Sequence, residues 1–184
     1  QDYQAARPSY AQEFLDWLGE LYAPPERYTA ADIGSGTGKL SAQLLAAGFR
    51  VCGVEPNPDM RGAAEALLGG DPRFSSSNGT DHDTGLPDRS VDMVAAAQAF
   101  HWFDGPAFAR ECRRILRPGG RAVLVWNVRG SAPMNQALAQ VFREHCPSFH
   151  GFTGGMGEDD PRIRDFFGGA YEKRRFPNPL TLDR

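Results

Sequence analysis

The residues with chemistry to offer gather around Ala31-Asp32-Ile33-Gly34-Ser35-Gly36-Thr37-Gly38-Lys39-Leu40, where an acid precedes three glycines at alternate positions. Glycines spaced in this way suit a backbone that turns sharply and lets a ligand come close. Phosphate ligands ask for other spacings. A mononucleotide loop needs G-x-x-x-x-G-K-[S/T], but Ile33 stands five residues before Gly38 and Leu40 follows Lys39. A dinucleotide fingerprint needs G-x-G-x-x-G, and the position of its third glycine is held by Lys39. A nicotinamide or flavin ligand is thereby disfavoured and stays as an alternative.

An acid directly before the glycines suits a ligand that brings positive charge to this end of a sheet. The amino group and sulfonium of S-adenosylmethionine are such charges, and that molecule has no phosphate to be repelled. A second acid, Glu55, follows the next apolar run, about 20 residues beyond the first glycine, where a carboxylate can accept both hydroxyls of a ribose. Alone, the glycines would serve packing and Glu55 would be a solvated strand-end charge. Together they point to S-adenosylmethionine as the cofactor.

These residues need elements to position them, and the chain reads as alternating helices and strands. An amphipathic helix is expected over residues 7–22, stopped by Pro24-Pro25. Strands follow at 28–33, 50–54, 73–77, 91–97 and 121–126, with helices over 40–45, 60–68, 104–116 and 131–146. Residues 78–90 read as a polar loop, Arg117-Pro118-Gly119-Gly120 as a turn, 151–157 as a glycine-rich loop and 171–176 as a last strand. Asp159-Asp160 reads as the cap of a short helix. This alternation predicts an α/β fold, a doubly wound, mostly parallel sheet covered on both faces. Ligands of such sheets sit beyond the carboxyl ends of the strands. Asp32, Glu55, Asp81 and Gln98 all fall there, and one shared crevice is expected.

The 184 residues suit one domain: a helical cap over 1–27, a cofactor-binding core over 28–127 and an acceptor-side segment over 128–184. The chain has no initiator Met and ends at Asp183-Arg184, so it reads as a trimmed piece of a longer protein. With 20 basic against 23 acidic residues it offers no broad field for nucleic acid or an anionic membrane. No apolar run reaches the roughly 20 residues of a membrane span. Cys52, Cys112 and Cys146 are odd in number and lack a C-x-x-C, as expected of reduced thiols in a cytoplasmic protein, two of them in the core.

Four motifs resemble the class I S-adenosylmethionine-dependent methyltransferases: Asp32-Ile33-Gly34-Ser35-Gly36-Thr37-Gly38, Val54-Glu55-Pro56-Asn57-Pro58-Asp59-Met60, Leu86-Pro87-Asp88-Arg89-Ser90-Val91-Asp92 and Leu116-Arg117-Pro118-Gly119-Gly120. They follow the family's order between about Tyr3 and Gly120, and the most similar branch holds small-molecule enzymes like the ubiquinone-biosynthesis and trans-aconitate methyltransferases. The resemblance implies a Rossmann-like methyltransferase sandwich with S-adenosylmethionine as cofactor. It implies that Asp32 and the backbone of Gly34, Ser35, Gly36 and Gly38 hold the methionine moiety. Glu55, beside Pro56, would take the ribose, and Met60 would lie on the adenine face. Thr80 and Asp81 stand where the family meets the adenine edge, and Gln98 would lie beneath the sulfonium. In the family Ala-Glu often follows that Thr; here it is Asp81-His82, so which of the two meets the adenine amino group stays open.

Transfer of a methyl group from a sulfonium is an in-line displacement with a good leaving group, so positioning and water exclusion come before acid–base help. The acceptor would approach Gln98-Ala99-Phe100-His101-Trp102-Phe103. His101 is a candidate base there, or a histidine that packs beside Trp102. This stretch is not the Asn/Asp-Pro-Pro-Tyr/Phe loop of adenine-DNA methylation, and no Pro-Cys suggests cytosine methylation. Asp81-His82-Asp83 reads as a solvated turn and no metal site is expected. Arg7, Asn127 and Arg129 are candidates to face a polar acceptor. Arg110, Arg113, Arg114 and Arg117 read as one solvated helix side, and Lys173-Arg174-Arg175 as an exposed strand face. The expected activity is methyl transfer to a small-molecule acceptor. The alternatives are a non-catalytic S-adenosylmethionine-binding protein and a nicotinamide-dependent oxidoreductase.

Overall fold

In the computed structural model, the described residues are 8–128, 133–146, 156–157 and 159–179. Tyr3, Arg7, Arg129, the start of the helix expected at 131 and the loop at 151–155 lie outside them.

Among the described residues five strands form one sheet, all of its pairs parallel, in the order β3-β2-β1-β4-β5. They are β1 (Thr29–Ile33), β2 (Arg50–Val54), β3 (Phe74–Ser77), β4 (Val91–Ala97) and β5 (Leu116–Val125). The helices are α1 (Gln12–Leu21), α2 (Lys39–Ala46), α3 (Pro58–Leu68), α4 (Gly105–Ile115), α5 (Pro133–His145) and α6 (Pro161–Phe167). Successive residues of a strand point to opposite faces, and β1, β2, β4 and β5 feed two cores, while β3 adds Phe74 to one of them. Ala30, Val51, Met93 and Ala95 pack with Phe14, Leu18, Leu40 and Leu44 of α1 and α2. Ala31, Cys52, Val94 and Ala96 pack with Phe108, Cys112, Ile163 and Phe166 of α4 and α6. Burial on both faces explains why β1, β2 and β4 read as continuous apolar runs.

Helix starts follow from local chemistry. Asn57 Oδ1 accepts from the Asp59 and Met60 N–H groups at 3.0 and 3.1 Å, and Pro58 supplies the first residue of α3 without a wasted donor. Asp104 caps α4 the same way, accepting from the Ala107 N–H at 3.0 Å. Asp160, not Asp159, caps α6 through the Arg162 N–H. Three strands or helices depart from expectation. The first helix begins at Gln12, because Tyr10 and Ala11 are buried ahead of it as non-helical chain. The expected turn at 117–120 belongs to β5 as a bulge: residues 116 to 121 face only 91 to 93 of β4. Residues 171–176 form no strand. Their aromatic rings serve helix faces instead, Tyr171 stacking on Phe167 and Phe176 wedging against Phe14 and Trp17 at 5.9 and 6.0 Å. Among the described residues no helix is long and apolar enough to cross a membrane.

Candidate functional site

The glycine loop leaves β1 tied to β2: the Gly34 and Ser35 N–H groups both donate to the Val54 carbonyl, at 2.9 and 3.1 Å. Gly36 and Gly38 sit at φ +56° and +82°, in the left-handed region open to glycine. Their surroundings differ. A Cβ on Gly38 would come within 2.9 Å of Leu68 and 3.1 Å of Ala64, so its missing side chain lets α3 close on α2. A Cβ on Gly36 would meet nothing within 4 Å. Gly36 is therefore bare toward open space, as a backbone approached by a ligand must be. Gly38 also brings no side chain to cap α2.

Two carboxylates border this opening. Asp32, at 1% exposure, takes a 2.7 Å hydrogen bond from Ser41 Oγ on Oδ2. Its Oδ1 is buried and has no hydrogen-bond partner among the described residues. Burial pushes the carboxyl up to about 6, the Ser41 bonds opposing and the Glu55 charge reinforcing the rise. Glu55 is 7% exposed at the end of β2. Its Oε2 accepts from the Gly36 N–H at 2.8 Å and its Oε1 from the Asn57 N–H at 2.9 Å. Each carboxylate oxygen has a second lone pair, so Glu55 can hold the loop and still accept from a diol. Arg61 locks this corner, donating to the Glu55 carbonyl at 2.7 Å and to Asn78 Oδ1 at 3.0 Å.

The remaining expected residues follow β1, β2, β3 and β4 in the chain, beyond the carboxyl ends of those strands. Ser35 is half-buried, its Oγ lying over Gly53. Pro56 is exposed, and half-buried Met60 is in the first turn of α3. Gln98 follows β4 at φ +56°, an uncommon conformation for a non-glycine. Its N–H donates to the Val125 carbonyl at 2.9 Å and its side-chain amide to the Asn127 carbonyl at 3.3 Å. Asn127 in turn donates to the Ser9 carbonyl and accepts from Asn178. Thr80 and Asp81 lie beyond β3. Asp81 faces His82 Nδ1 at 3.1 Å through Oδ1 and accepts from the Asp104 N–H at 3.1 Å through Oδ2. His101 sits in the single turn Phe100–Trp102 with its ring 4.9 Å from that of Trp102, which is 81% exposed.

Three groups escaped the sequence reading. Ser41 had a signal: it is a lone polar residue on the inward face Leu40, Ser41, Leu44, Leu45 of α2. Arg61 was one of several basic residues with no distinguishing spacing. The third is a network centred on buried Glu111 of α4, where Arg114 donates to Glu111 at 2.7 and 2.8 Å and to exposed Asp88 at 2.6 Å. Arg114 is thus a paired, partly exposed residue rather than a freely solvated one, and Arg117 falls in β5 and pairs with Asp92 at 2.7 Å; Arg110 and Arg113 remain exposed as expected. Lys173 and Arg174 are on irregular chain rather than a strand face, Lys173 pairing with Asp159 and Arg174 lying over the Trp17 ring.

The donor set fits a nucleoside that ends in a cation: bare backbone at Gly36, an acid with a spare buried oxygen at Asp32, and a diol acceptor at Glu55. Two acids beside one loop would repel a pyrophosphate. The comparisons agree. A family model described as a methyltransferase domain matches residues 31–124. An uncharacterized methyltransferase of Mycobacterium tuberculosis is 42% identical over 127 residues, 69% of this chain and 49% of the relative. One from Schizosaccharomyces pombe is 31% identical over 147 residues, 79% of this chain and 57% of the relative. The chain therefore spans about half the length of these curated relatives. Its fold is similar to a solved structure from Anaeromyxobacter dehalogenans, a proposed type II methyltransferase, with TM-score 0.61, 33% identity and coverage of 96% of this chain and 70% of that one. With four motifs in order, a parallel sheet of matching fold and a family model covering residues 31–124, the chain belongs to the class I S-adenosylmethionine-dependent methyltransferases.

Proposed function

We propose that this chain carries the cofactor-binding part of an enzyme that methylates a small-molecule acceptor. The observation that carries the reading is the pairing of Asp32, with its unpartnered buried Oδ1, and Glu55, bonded to the Gly36 N–H, on either side of open backbone. When bound, S-adenosylmethionine supplies a methyl group activated by a sulfonium leaving group. Asp32 and the backbone of residues 34–38 would hold its methionine end, Glu55 its ribose, Met60 the face of its base, and Thr80 or Asp81 the edge. Gln98 would sit beneath the sulfonium, its strained backbone held by Val125.

The protein's share of the work is then to orient the acceptor and exclude water, which is where most of the rate of such a displacement originates. His101 is proposed as a base for an acceptor that arrives protonated. A net charge of −3 favours a small molecule over nucleic acid, and the free, buried thiols of Cys52 and Cys112 favour a cytoplasmic setting.

Calorimetry against S-adenosylhomocysteine and, separately, NAD tests the cofactor. Binding of the thioether alone is expected; tight NAD binding without it would overturn the reading. A screen of metabolites with labelled methyl donor, on the full-length protein, then identifies the acceptor. Wild-type turnover by a His101→Ala enzyme on that acceptor would remove the proposed base.

A further inference from the structure

The structure carries a second arrangement, outside the glycine loop, that bears on one end of the same ligand. A ligand held by its cationic end at β1 and by its ribose at β2 has only one direction left for its base, toward β3, given the strand order β3-β2-β1-β4-β5. The chain that leaves β3 there is the polar loop 78–90. It has no regular secondary structure of its own, so something else must hold its shape.

That support is α4. The loop runs alongside the helix from its first turn to its last, bonded at each stage. Asp81 accepts from the Asp104 N–H at 3.1 Å at the helix start. Thr84 donates from both its N–H and its Oγ to Glu111 Oε1, at 2.9 and 2.6 Å. Asp88 takes Arg114 at 2.6 Å, and the Arg89 and Ser90 N–H groups donate to the carbonyls of Arg114 and Ile115 at 2.9 and 2.8 Å. The middle attachment is the buried one: Thr84 is 0% exposed and Glu111 7%. Arg114 grips both oxygens of Glu111, leaving the carboxylate charged and rigid.

Thr84 also sets the conformation of the loop's tip. A Cβ on Gly79 would be 2.5 Å from the Thr84 carbonyl oxygen, so these two backbones are in direct contact. The Thr84 carbonyl accepts from Ser77 Oγ at 2.8 Å. Thr80 and Asp83 close the tip on itself, the Thr80 N–H donating to the Asp83 carbonyl at 2.8 Å and the Asp83 N–H to Thr80 Oγ1 at 3.1 Å. The tip is thus a small closed ring with one buried root, Thr84 on Glu111.

We propose that Glu111, acting through Thr84, is a positioning residue for the purine end of the cofactor, fixing the Thr80–Asp81 tip so that it can read the edge of the base. The inference rests on the cofactor reading above and adds where base selectivity comes from. Neither Glu111 nor Thr84 touches the ligand in this scheme; each acts by holding the tip in one conformation.

The test is calorimetry of the full chain with S-adenosylhomocysteine and with S-inosylhomocysteine, which differs only at the edge of the base. The wild-type protein is expected to prefer adenine by about tenfold, the worth of one well-made hydrogen bond. Thr84→Val keeps the shape of the side chain and removes the hydroxyl donor; the preference should fall toward one, and Thr84→Ser should restore it. A purely structural role would weaken both ligands alike and leave the ratio untouched. If Thr84→Val does not fold, Arg114→Lys, at a partly exposed position that keeps the charge but loses the two-pronged grip, should narrow the ratio instead. A ratio unchanged in these variants overturns the proposal, as does a wild-type protein that binds both ligands equally. Failure of the wild-type protein to bind S-adenosylhomocysteine at all would instead overturn the cofactor reading.

Discussion

Ser41 Oγ donates to Asp32 Oδ2 at 2.7 Å across the junction of α2 and β1, where Asp32 is 1% exposed and Ser41 0%. Hydrogen bonding from Ser41 alone, with Oδ1 left without a partner among the described residues, is a small return for a buried carboxylate. The consequence is a carboxyl held up to about 6 in the folded protein.

The sign of the resulting pH dependence is unusual for an acid. Asp32 binds its proton more tightly folded than unfolded, so the native state is favoured as pH falls through about 6 and carries a penalty of about 3 kcal/mol above it. Asp32→Asn removes the charge and nearly keeps the shape. It is expected to be more stable than wild type at pH 8, with the difference closing as pH falls toward about 4, in urea unfolding of the ligand-free protein. The same variant should bind S-adenosylhomocysteine about tenfold more weakly, because the spare oxygen it loses is the one offered to a cation.

Glu55 has two duties, bracing Gly36 and Asn57 at 2.8 and 2.9 Å and accepting from a diol. Glu55→Gln retains the size but turns an N–H toward one of those backbone donors. Affinity for S-adenosylhomocysteine should fall by tenfold or more, from the loss of charged hydrogen bonds of about 1.5–3 kcal/mol each. Unchanged affinity by calorimetry would mean the ribose site lies elsewhere.

Gly36 and Gly38 separate ligand access from packing. Gly36→Ala meets no protein atom within 4 Å, so its cost to the fold is the left-handed conformation alone, about 1 kcal/mol. Its methyl group would project into the opening, and ligand affinity should drop more than melting temperature. Gly38→Ala runs into Leu68 at 2.9 Å and Ala64 at 3.1 Å and should lower melting temperature first. Paired thermal and binding curves distinguish them.

Glu111 has the opposite acid behaviour to Asp32. The Arg114 guanidinium holds its carboxyl down at about 2, against an ordinary 4.5. A lowered acid contributes stability that is fully present above the unfolded value and lost as pH falls from about 4.5 toward about 2. Glu111→Gln should be less stable than wild type at pH 7 and should show a flatter decline through that acid range, measurable by denaturant unfolding at each pH.

Much of the candidate site was legible in the sequence, and the residues that were legible share a property. Asp32, the three glycines and Glu55 are consecutive or lie one strand apart, so their spacing alone says that a strand, a turn and a helix will present them together. Two of the three cysteines are buried as expected, and the structure shows them to be Cys52 and Cys112. The misreadings also have a common source. The aromatic-basic alternation at 171–176 matched a strand period, yet Phe176 packs on Phe14 and Trp17. Pattern shows what a segment can do, while the partner that packs against it decides what it does.

The sequence by itself determined the fold class, the family and the acids around the glycine loop, because each depends on short-range spacing that survives without coordinates. Tertiary structure decided which groups hold those acids in place. Ser41 lies nine residues from Asp32, Gly36 lies 19 from Glu55, and Thr84 lies 27 from Glu111. None of these separations is a helix or strand repeat. A hydrogen bond between groups so far apart exists only because packing of the two cores brings their elements together, and no local pattern records it.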